Sequence, residues 1–326
     1  MTVDAQILTA LRSAGDDSVS GADLSDQLGI TRAAIWARIE ELRSLGYEIE
    51  ASPHQGYKLR AVPDVLHRDD LLSLVRGTRV IGRDVHVFQE TSSTNDVVDR
   101  LARDGVAQGA VVFAESQTKG RGRLGRKWVS PAGKGLWFSV LLRPELRPQD
   151  ATQLTIIAAT ALARALRQYE LAPRIKWPND ILMGQRKLAG VLTELAAEID
   201  RIRYVILGIG INVNAMPTDF PHDVRAIATS LRIETGAEIR RAELAAAIMR
   251  ELDFDYDRLC RGEFAIIADE WVEQCATLGQ RVTIRVGERT VHGHAEALDD
   301  SGALLLRTTH GHLERIVGGD VTLEKR

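Results

Sequence analysis

Ala110-Val111-Val112-Phe113-Ala114-Glu115 and Leu136-Trp137-Phe138-Ser139-Val140-Leu141-Leu142 are two strand-like apolar runs, and between them lies Gly120-Arg121-Gly122-Arg123-Leu124-Gly125-Arg126-Lys127-Trp128. The inserted loop holds three glycines, four cations and a terminal aromatic. Glycine reaches positive φ and lets a ligand come close to the backbone, while guanidinium groups make charge-assisted, often bidentate contacts to carboxylate or phosphate oxygens. By composition this is an anion-binding loop. It lacks the Lys-Ser/Thr ending and the following helix of a P-loop. A solvated basic loop, or an arginine-glycine tail that binds nucleic acid through charge, is the plain alternative. Such tails are not set between two strands.

Three further segments stand in order around the loop. They are Thr91-Ser92-Ser93-Thr94-Asn95, then Lys176-Trp177-Pro178-Asn179-Asp180 followed by Arg186-Lys187-Leu188-Ala189-Gly190, and finally Gly208-Ile209-Gly210-Ile211-Asn212-Val213-Asn214. With Gln117 before the basic loop, this set resembles the biotin protein ligase family from Thr91 to the C-terminus. The N-terminal segment makes the chain similar to the subgroup that doubles as repressor of biotin operons.

At 326 residues the chain exceeds the usual span of one domain, and 44% hydrophobic with 27% charged residues is ordinary for a soluble globular protein. A net charge of -3 argues against a globally basic nucleic-acid binder, so any DNA role is local. The first residues carry no basic run leading into an apolar stretch, and no later segment is apolar enough to span a bilayer. A cytoplasmic protein without a membrane partner is expected. Cys260 and Cys275 stand in helix-like sequence without metal-ligand spacing and read as buried free thiols. His292-Gly293-His294 reads as a solvated strand or turn.

Residues 1–62 form the first expected unit, a winged helix-turn-helix. Helical spacing over 5–14, a short helix over 21–29 ending at glycine, and a helix capped by Thr31 and running to 45 give the three-helix pattern. Residues 47–50 and 57–60 alternate around a turn containing Pro53 and Gly56, which reads as the wing. Ile35, Ile39 and Leu42 share one helix face, leaving Thr31, Arg32, Ala33 and Trp36 as candidate DNA contacts, placed to read a major groove and touch phosphate. The rival reading is a winged helix used for protein contacts. Over residues 1–62 the six Lys and Arg against nine Asp and Glu leave 6 - 9 = -3, little with which to neutralise phosphate.

Residues 63–277 read as an α+β domain on a mixed sheet. Helices are expected over 68–74, 95–103, 150–169, 240–259 and 263–274, with strands over 85–89, 110–115, 136–142, 174–177, 181–183, 187–195 and 204–212. Residues 215–230, with two prolines, look like a lid beside the glycine-rich strand end. Residues 278–326 carry short strands over 282–284, 290–297, 304–306 and 321–323, expected to close a small SH3-like β-barrel.

The resemblance implies the chemistry. Joining biotin's carboxylate to an amine requires activation by ATP as biotinoyl-5'-AMP, and cations must offset the meeting of an anion with a polyanion. Biotin would be met by Ser93, Thr94, Asn95, Gln117, Gly120, Arg121, Gly122, Arg123 and Lys187. Arg123, Lys187 and Asp180 would be catalytic, with Arg123 retaining the adenylate and Lys187 touching carboxylate and α-phosphate. The nucleotide would be met by Arg126, Trp128, Asn179 and Asn212. Asp180 could hold Mg2+ or act on the acceptor lysine. Taken singly, Lys187 reads as a surface charge, Ser93 to Asn95 as a helix cap, and the segment at Asn179 as a tight turn.

ATP with Mg2+ and biotin are thus the expected co-substrates, with no tightly bound prosthetic group. A biotin carboxyl carrier protein and operator DNA are the partners. A homodimer forming on adenylate or DNA binding is expected because helix-turn-helix proteins bind paired half-sites. A ligand-sensing transcription factor without ligase activity and a lipoate-type acyl ligase are the competing readings, and fold likeness alone does not separate them.

Overall fold

The computed structural model describes residues 1–52 and 55–323, so Pro53 of the expected wing turn lies outside the described residues. Helix α1 (Val3–Ala14) starts at Thr2, α2 (Gly21–Leu28) at Ser20 and α3 (Arg32–Ser44) at Thr31, and each cap hydroxyl accepts a backbone N–H of the first turn. Gly29 ends α2 with φ 66°, a left-handed position that glycine takes without a Cβ clash. Strands β1 (Glu48–Ser52) and β2 (Gly56–Ala61) pair antiparallel as the wing. Ile7, Leu8, Leu11, Leu24, Ile35, Ile39, Leu42, Tyr47 and Ile49 pack into a core of their own, as the inward face of α3 required. This unit sits on α4 (Arg68–Leu74), where Arg12 meets the fully buried Asp70 at 2.5 Å and Thr2 donates to Asp69.

The central region runs β3 (Asp84–Thr91), α5 (Thr94–Arg103), β4 (Ala110–Gln117), β5 (Gly135–Leu142), α6 (Thr152–Leu166), β6 (Arg174–Lys176), β7 (Asp180–Met183), β8 (Arg186–Ala197), β9 (Ile202–Asn212), α7 (Leu231–Thr235), α8 (Arg241–Cys260) and α9 (Phe264–Gln274). Its seven strands order as β3-β4-β5-β9-β8-β7-β6, with β3 parallel to β4 and the other pairs antiparallel. All of β5 is buried because its two faces are both covered. Phe138, Val140 and Leu142 join the main core with α6 and α8, while Leu141 packs with Val98 and Ala102 of α5.

Strands β10 (Arg281–Val286), β11 (Arg289–Leu298), β12 (Leu304–Thr308), β13 (Leu313–Ile316) and β14 (Asp320–Leu323) make an antiparallel sheet in the order β13-β12-β11-β10-β14. Its inward residues Val282, Ile284, Val291, Leu304, Leu306 and Val321 belong to the same core as the central helices. The Trp177 indole crosses the boundary to donate to the Gly302 carbonyl.

Three expectations are corrected. The helix expected over 150–169 is α-helical only from Thr152 to Leu166, with 3-10 turns at Pro148–Asp150 and Arg167–Tyr169. Strand β13 was not foreseen, since Leu313-Glu314-Arg315-Ile316 buries only Ile316 and so lacks apolar alternation. Of the two cysteines, Cys275 is buried just beyond α9, but Cys260 ends α8 exposed. No helix among the described residues is long and apolar enough to cross a membrane.

Candidate active site

The basic loop leaves β4 at Gln117 and returns at Ser130, and these two pair across its neck. Above the neck, Trp128 N–H donates to the Gly120 carbonyl at 2.9 Å and Gly122 N–H to Arg126 at 2.7 Å, closing a small hairpin. A Cβ on Gly120 would fall 2.3 Å from the Trp128 carbonyl oxygen, which explains that glycine. The tip turns through Leu124 and Gly125, with φ 56° and 73°.

The loop's three arginines go to three different parts of the molecule. Arg121 pairs with Asp96 of α5 at 2.7 Å and with Glu194 of β8 at 3.4 Å. Arg123 donates to the Asn179 side-chain oxygen at 3.2 Å. Arg126 pairs with Asp320 at the start of β14, a carboxylate also reached by Arg285. The loop is therefore riveted to α5, to the β6–β7 turn and to the C-terminal sheet. Arg121 and Arg126, expected from the sequence to contact ligand, are ion-paired with carboxylates in this structure.

Beneath the loop lies a buried polar network. Ser93, Thr94 and Asn95 are each less than 5% exposed. Gln117 accepts from the Thr94 N–H at 2.9 Å and donates to the Ser130 hydroxyl at 2.9 Å, the Thr94 and Ser139 hydroxyls are 2.7 Å apart, and Ser139 donates to Asn95. Asn95 in turn donates to Glu194 at 2.8 Å. Ser93 occupies the N-cap position of α5, yet its side chain makes no capping bond, so capping does not account for this triplet. A hydroxyl and amide network can both donate and accept, which suits a ligand whose own polar groups would otherwise be buried unpaired.

Glycines set the floor. A Cβ on Gly208 would meet the Asn95 side-chain oxygen at 2.3 Å, and one on Gly210 would meet the Trp128 indole at 2.6 Å. Trp128 lies against β9, edge-on to Trp137 with centroids 6.3 Å apart, and its indole N–H is buried without a partner among the described residues. Lys187 Nζ stands 5.3 Å from the Trp128 ring centroid and 2.6 Å from Asp180 Oδ1.

Asp180 is the centre of a cationic group. Lys176 opposes it across β6 and β7. Burial lowers the Lys176 pKa from its ordinary value, with Asp180 working in the opposite sense and Lys187 in the same sense. Burial likewise lowers Arg123, against the pull of Asp180 and Asp320. Asn179 donates to the Val191 carbonyl and so braces the turn. Asn212, 7% exposed at the end of β9, donates to the Thr229 carbonyl and holds the segment 215–230 down. That segment also brackets Lys187, whose N–H donates to Ile227 and whose carbonyl accepts from Thr229. The pair Lys134–Asp219 ties it at 3.1 Å to the chain leaving the basic loop.

Thr31, the cap of α3, and Arg32, Ala33 and Trp36 on its first turns all lie exposed, Trp36 at 58%. The sequence reading missed Ser130, Ser139, Lys176, Glu194 and Asp320. Ser139 had a signal, as the single polar residue in the apolar run of β5, and Lys176 opens a motif already singled out. Glu194 and Asp320 had none.

Residues 87–212 match the Biotin/lipoate A/B protein ligase family, residues 4–58 an HTH domain, and residues 277–323 the Biotin protein ligase C terminal domain. The chain is 38% identical over 323 residues, 99% of either chain, to the bifunctional ligase/repressor BirA of Bacillus subtilis. It is 32% identical over 306 residues to the protein of that name from Escherichia coli, covering 93% of this chain and 92% of that one. A solved structure of biotin protein ligase from Aquifex aeolicus in complex with biotin and ATP is similar with a TM-score of 0.64 and 30% identity, over 75% of this chain and 100% of that one.

Proposed function

The chain belongs to the biotin protein ligase family, in its branch of bifunctional ligase/repressors, and from that premise we propose how this site divides the work. The protein is an ATP-dependent biotin ligase that also represses transcription in response to biotin. A biotin carboxylate oxygen attacks the α-phosphorus of ATP, the bond to the pyrophosphate oxygen breaks, and biotinoyl-5'-AMP forms. The amine of a carrier-protein lysine then attacks the acyl carbon. The amide bond forms, AMP leaves with the C–O electron pair, and the amine loses a proton.

The observation that carries this reading is the convergence of Lys187, Lys176 and Arg123 on Asp180, beside the buried network of Thr94, Asn95, Gln117 and Ser139. The network takes the polar head of biotin, together with Ser93, Gly120, Arg121 and Gly122. The cations meet the carboxylate and the α-phosphate where negative charge crowds in the transition state. Trp128, Asn179, Asn212 and Arg126 frame the nucleotide, and Arg123 keeps the adenylate from leaving. Asp180, which binds Lys187 through Oδ1, would be the residue to hold Mg2+ brought by the nucleotide, a partnership of one carboxylate with phosphates and water that suits this ion. When bound, Mg2+ offsets phosphate charge.

We divide the chain at 1–62, 63–277 and 278–326. The first unit has its own core, and the last shares that of the second. Beyond Val191, β8 pairs among the described residues with β9 alone, and Leu195 on this stretch is 44% exposed. Two copies pairing along that edge would make the homodimer that presents two α3 helices to operator DNA. ATP, carrier protein and operator place the protein in the cytoplasm.

The test is incubation with biotin, Mg-ATP and a biotin carrier domain, with lipoate in a parallel sample. Biotin on one carrier lysine is expected. Absence of both that product and biotin-dependent pyrophosphate release would overturn the reading, and transfer of lipoate in place of biotin would redirect it.

A further inference from the structure

Arg241, the first residue of α8, is 1% exposed. A cation at a helix N-terminus opposes the helix dipole, and its burial is tolerated only if its N–H groups are paired. All five are. Nε donates to Asp64 Oδ2, Nη1 to Glu115 Oε2 and the Gly135 carbonyl, and Nη2 to Glu115 Oε1 and the Asp64 carbonyl. The pair with Glu115 is a two-pronged fork at 2.7 and 3.1 Å.

The partners of this arginine are the attachment points of the basic loop, the linker and the segment 215–230. Glu115 stands two residues before Gln117, where the basic loop departs. Its other bonds come from the N–H of Gly133, where the loop has returned, and from the N–H of Leu66 in the linker. Asp64 lies in that linker, between the wing and α4, and accepts from Asn214 at 3.2 Å. Asn214 directly precedes the segment 215–230, and its N–H donates to Lys134 on the returning chain.

We propose that Arg241 is a positioning residue: through Glu115 it sets both feet of the basic loop, and through Asp64 it joins them to the linker that carries the winged helix. The proposal rests on the ligase/repressor reading and deepens it. A ligand that favours the ordered loop favours the intact network, and the intact network fixes the linker. Operator binding must then favour the ordered loop in return, because such coupling is reciprocal.

Two measurements on the full-length protein test this. The first is the ratio of operator affinities with and without biotin plus Mg-ATP at fixed salt. In Asp64→Asn this ratio should fall by about fivefold or more, the low end of coupling between sites, while the ligation rate at saturating substrates stays near wild type. Val65→Ala, in the same linker but off the network, should keep the ratio. A wild-type ratio in Asp64→Asn, or an equal loss in Val65→Ala, overturns the proposal. The second is the escape of preformed biotinoyl-adenylate, which needs no DNA. Glu115→Gln should release it faster, with a smaller change in its rate of formation at saturation. Were wild-type operator binding indifferent to adenylate, the regulatory reading itself would fall, and this second measurement would still decide: adenylate held as long as in wild type overturns the role of Arg241.

Discussion

Lys187 Nζ lies 2.6 Å from Asp180 Oδ1, with the Trp128 ring at its side, so the ammonium is aimed before any anion arrives. Replacement of this residue, Lys187→Ala, removes a preorganised charge from the proposed point of adenylate formation. Pyrophosphate release at saturating biotin and ATP should slow by about two powers of ten or more, as for other lost electrostatic stabilisers. An unchanged rate in a folded variant would remove Lys187 from the first half-reaction.

Arg123→Gly deletes the bond to Asn179 and the guanidinium that a Cβ on Gly318, between β13 and β14, would meet at 2.9 Å. The loop keeps its neck at Gln117 and Ser130 and loses one of its three rivets. Biotinoyl-adenylate should escape, and labelling of unrelated lysines in a mixed protein sample should rise. Loss of adenylate formation instead of its release would make Arg123 a purely catalytic group.

The Arg126–Asp320 pair joins the loop to a sheet that supplies no other candidate residue. Arg126 is 61% exposed, so the pair itself contributes little stability, about 0.2–1 kcal/mol for exposed pairs. Arg126→Ala and Asp320→Asn should therefore leave thermal unfolding nearly unchanged while both raise KM for ATP. Strictly additive effects in the double variant would show that the two side chains act apart.

Lys176 offers a pH signature. Its folded pKa is lowered by burial. The folded state therefore gives up the proton before the unfolded chain does, and the cost of burying the charge is relieved as pH rises through the folded pKa towards 10.5. Wild-type stability relative to Lys176→Met should rise over that alkaline window. A denaturation-midpoint difference that is flat or falls with pH would contradict the burial argument.

On α3, Arg32→Ala and Trp36→Ala change only exposed groups. Operator affinity should fall by about 1–3 kcal/mol where a base contact is lost, with ligation unaltered. Ligation falling in parallel would point to a role for this face in the enzyme.

Much of this architecture was legible in the chain because it depends on local rules. The cap at Thr31, the 3.5-residue spacing of Ile35, Ile39 and Leu42, and the apolar run of β5 each report a nearby preference, and the structure agrees. Strand β13 escaped because its pairing with β12, not its own pattern, makes it a strand. The candidate site was legible as residue types, since the glycines and cations cluster in short segments.

By itself, the sequence determined the winged helix, the mixed sheet with its inserted basic loop, and the set of groups able to handle an anion. Only the tertiary structure decided where those groups go. Arg121, Arg123 and Arg126 are alike on paper, yet one faces Asp96 and Glu194, one Asn179, and one Asp320. Their carboxylate partners lie 25, 73 and 194 residues away in the chain. A guanidinium's choice of partner depends on distance in space, desolvation and the competing ions around it, and none of these is a property of neighbouring residues. The same holds for Arg241, an ordinary helix-start residue in the sequence, which the packing of linker, loop and helix turns into a buried cation with all five N–H groups paired.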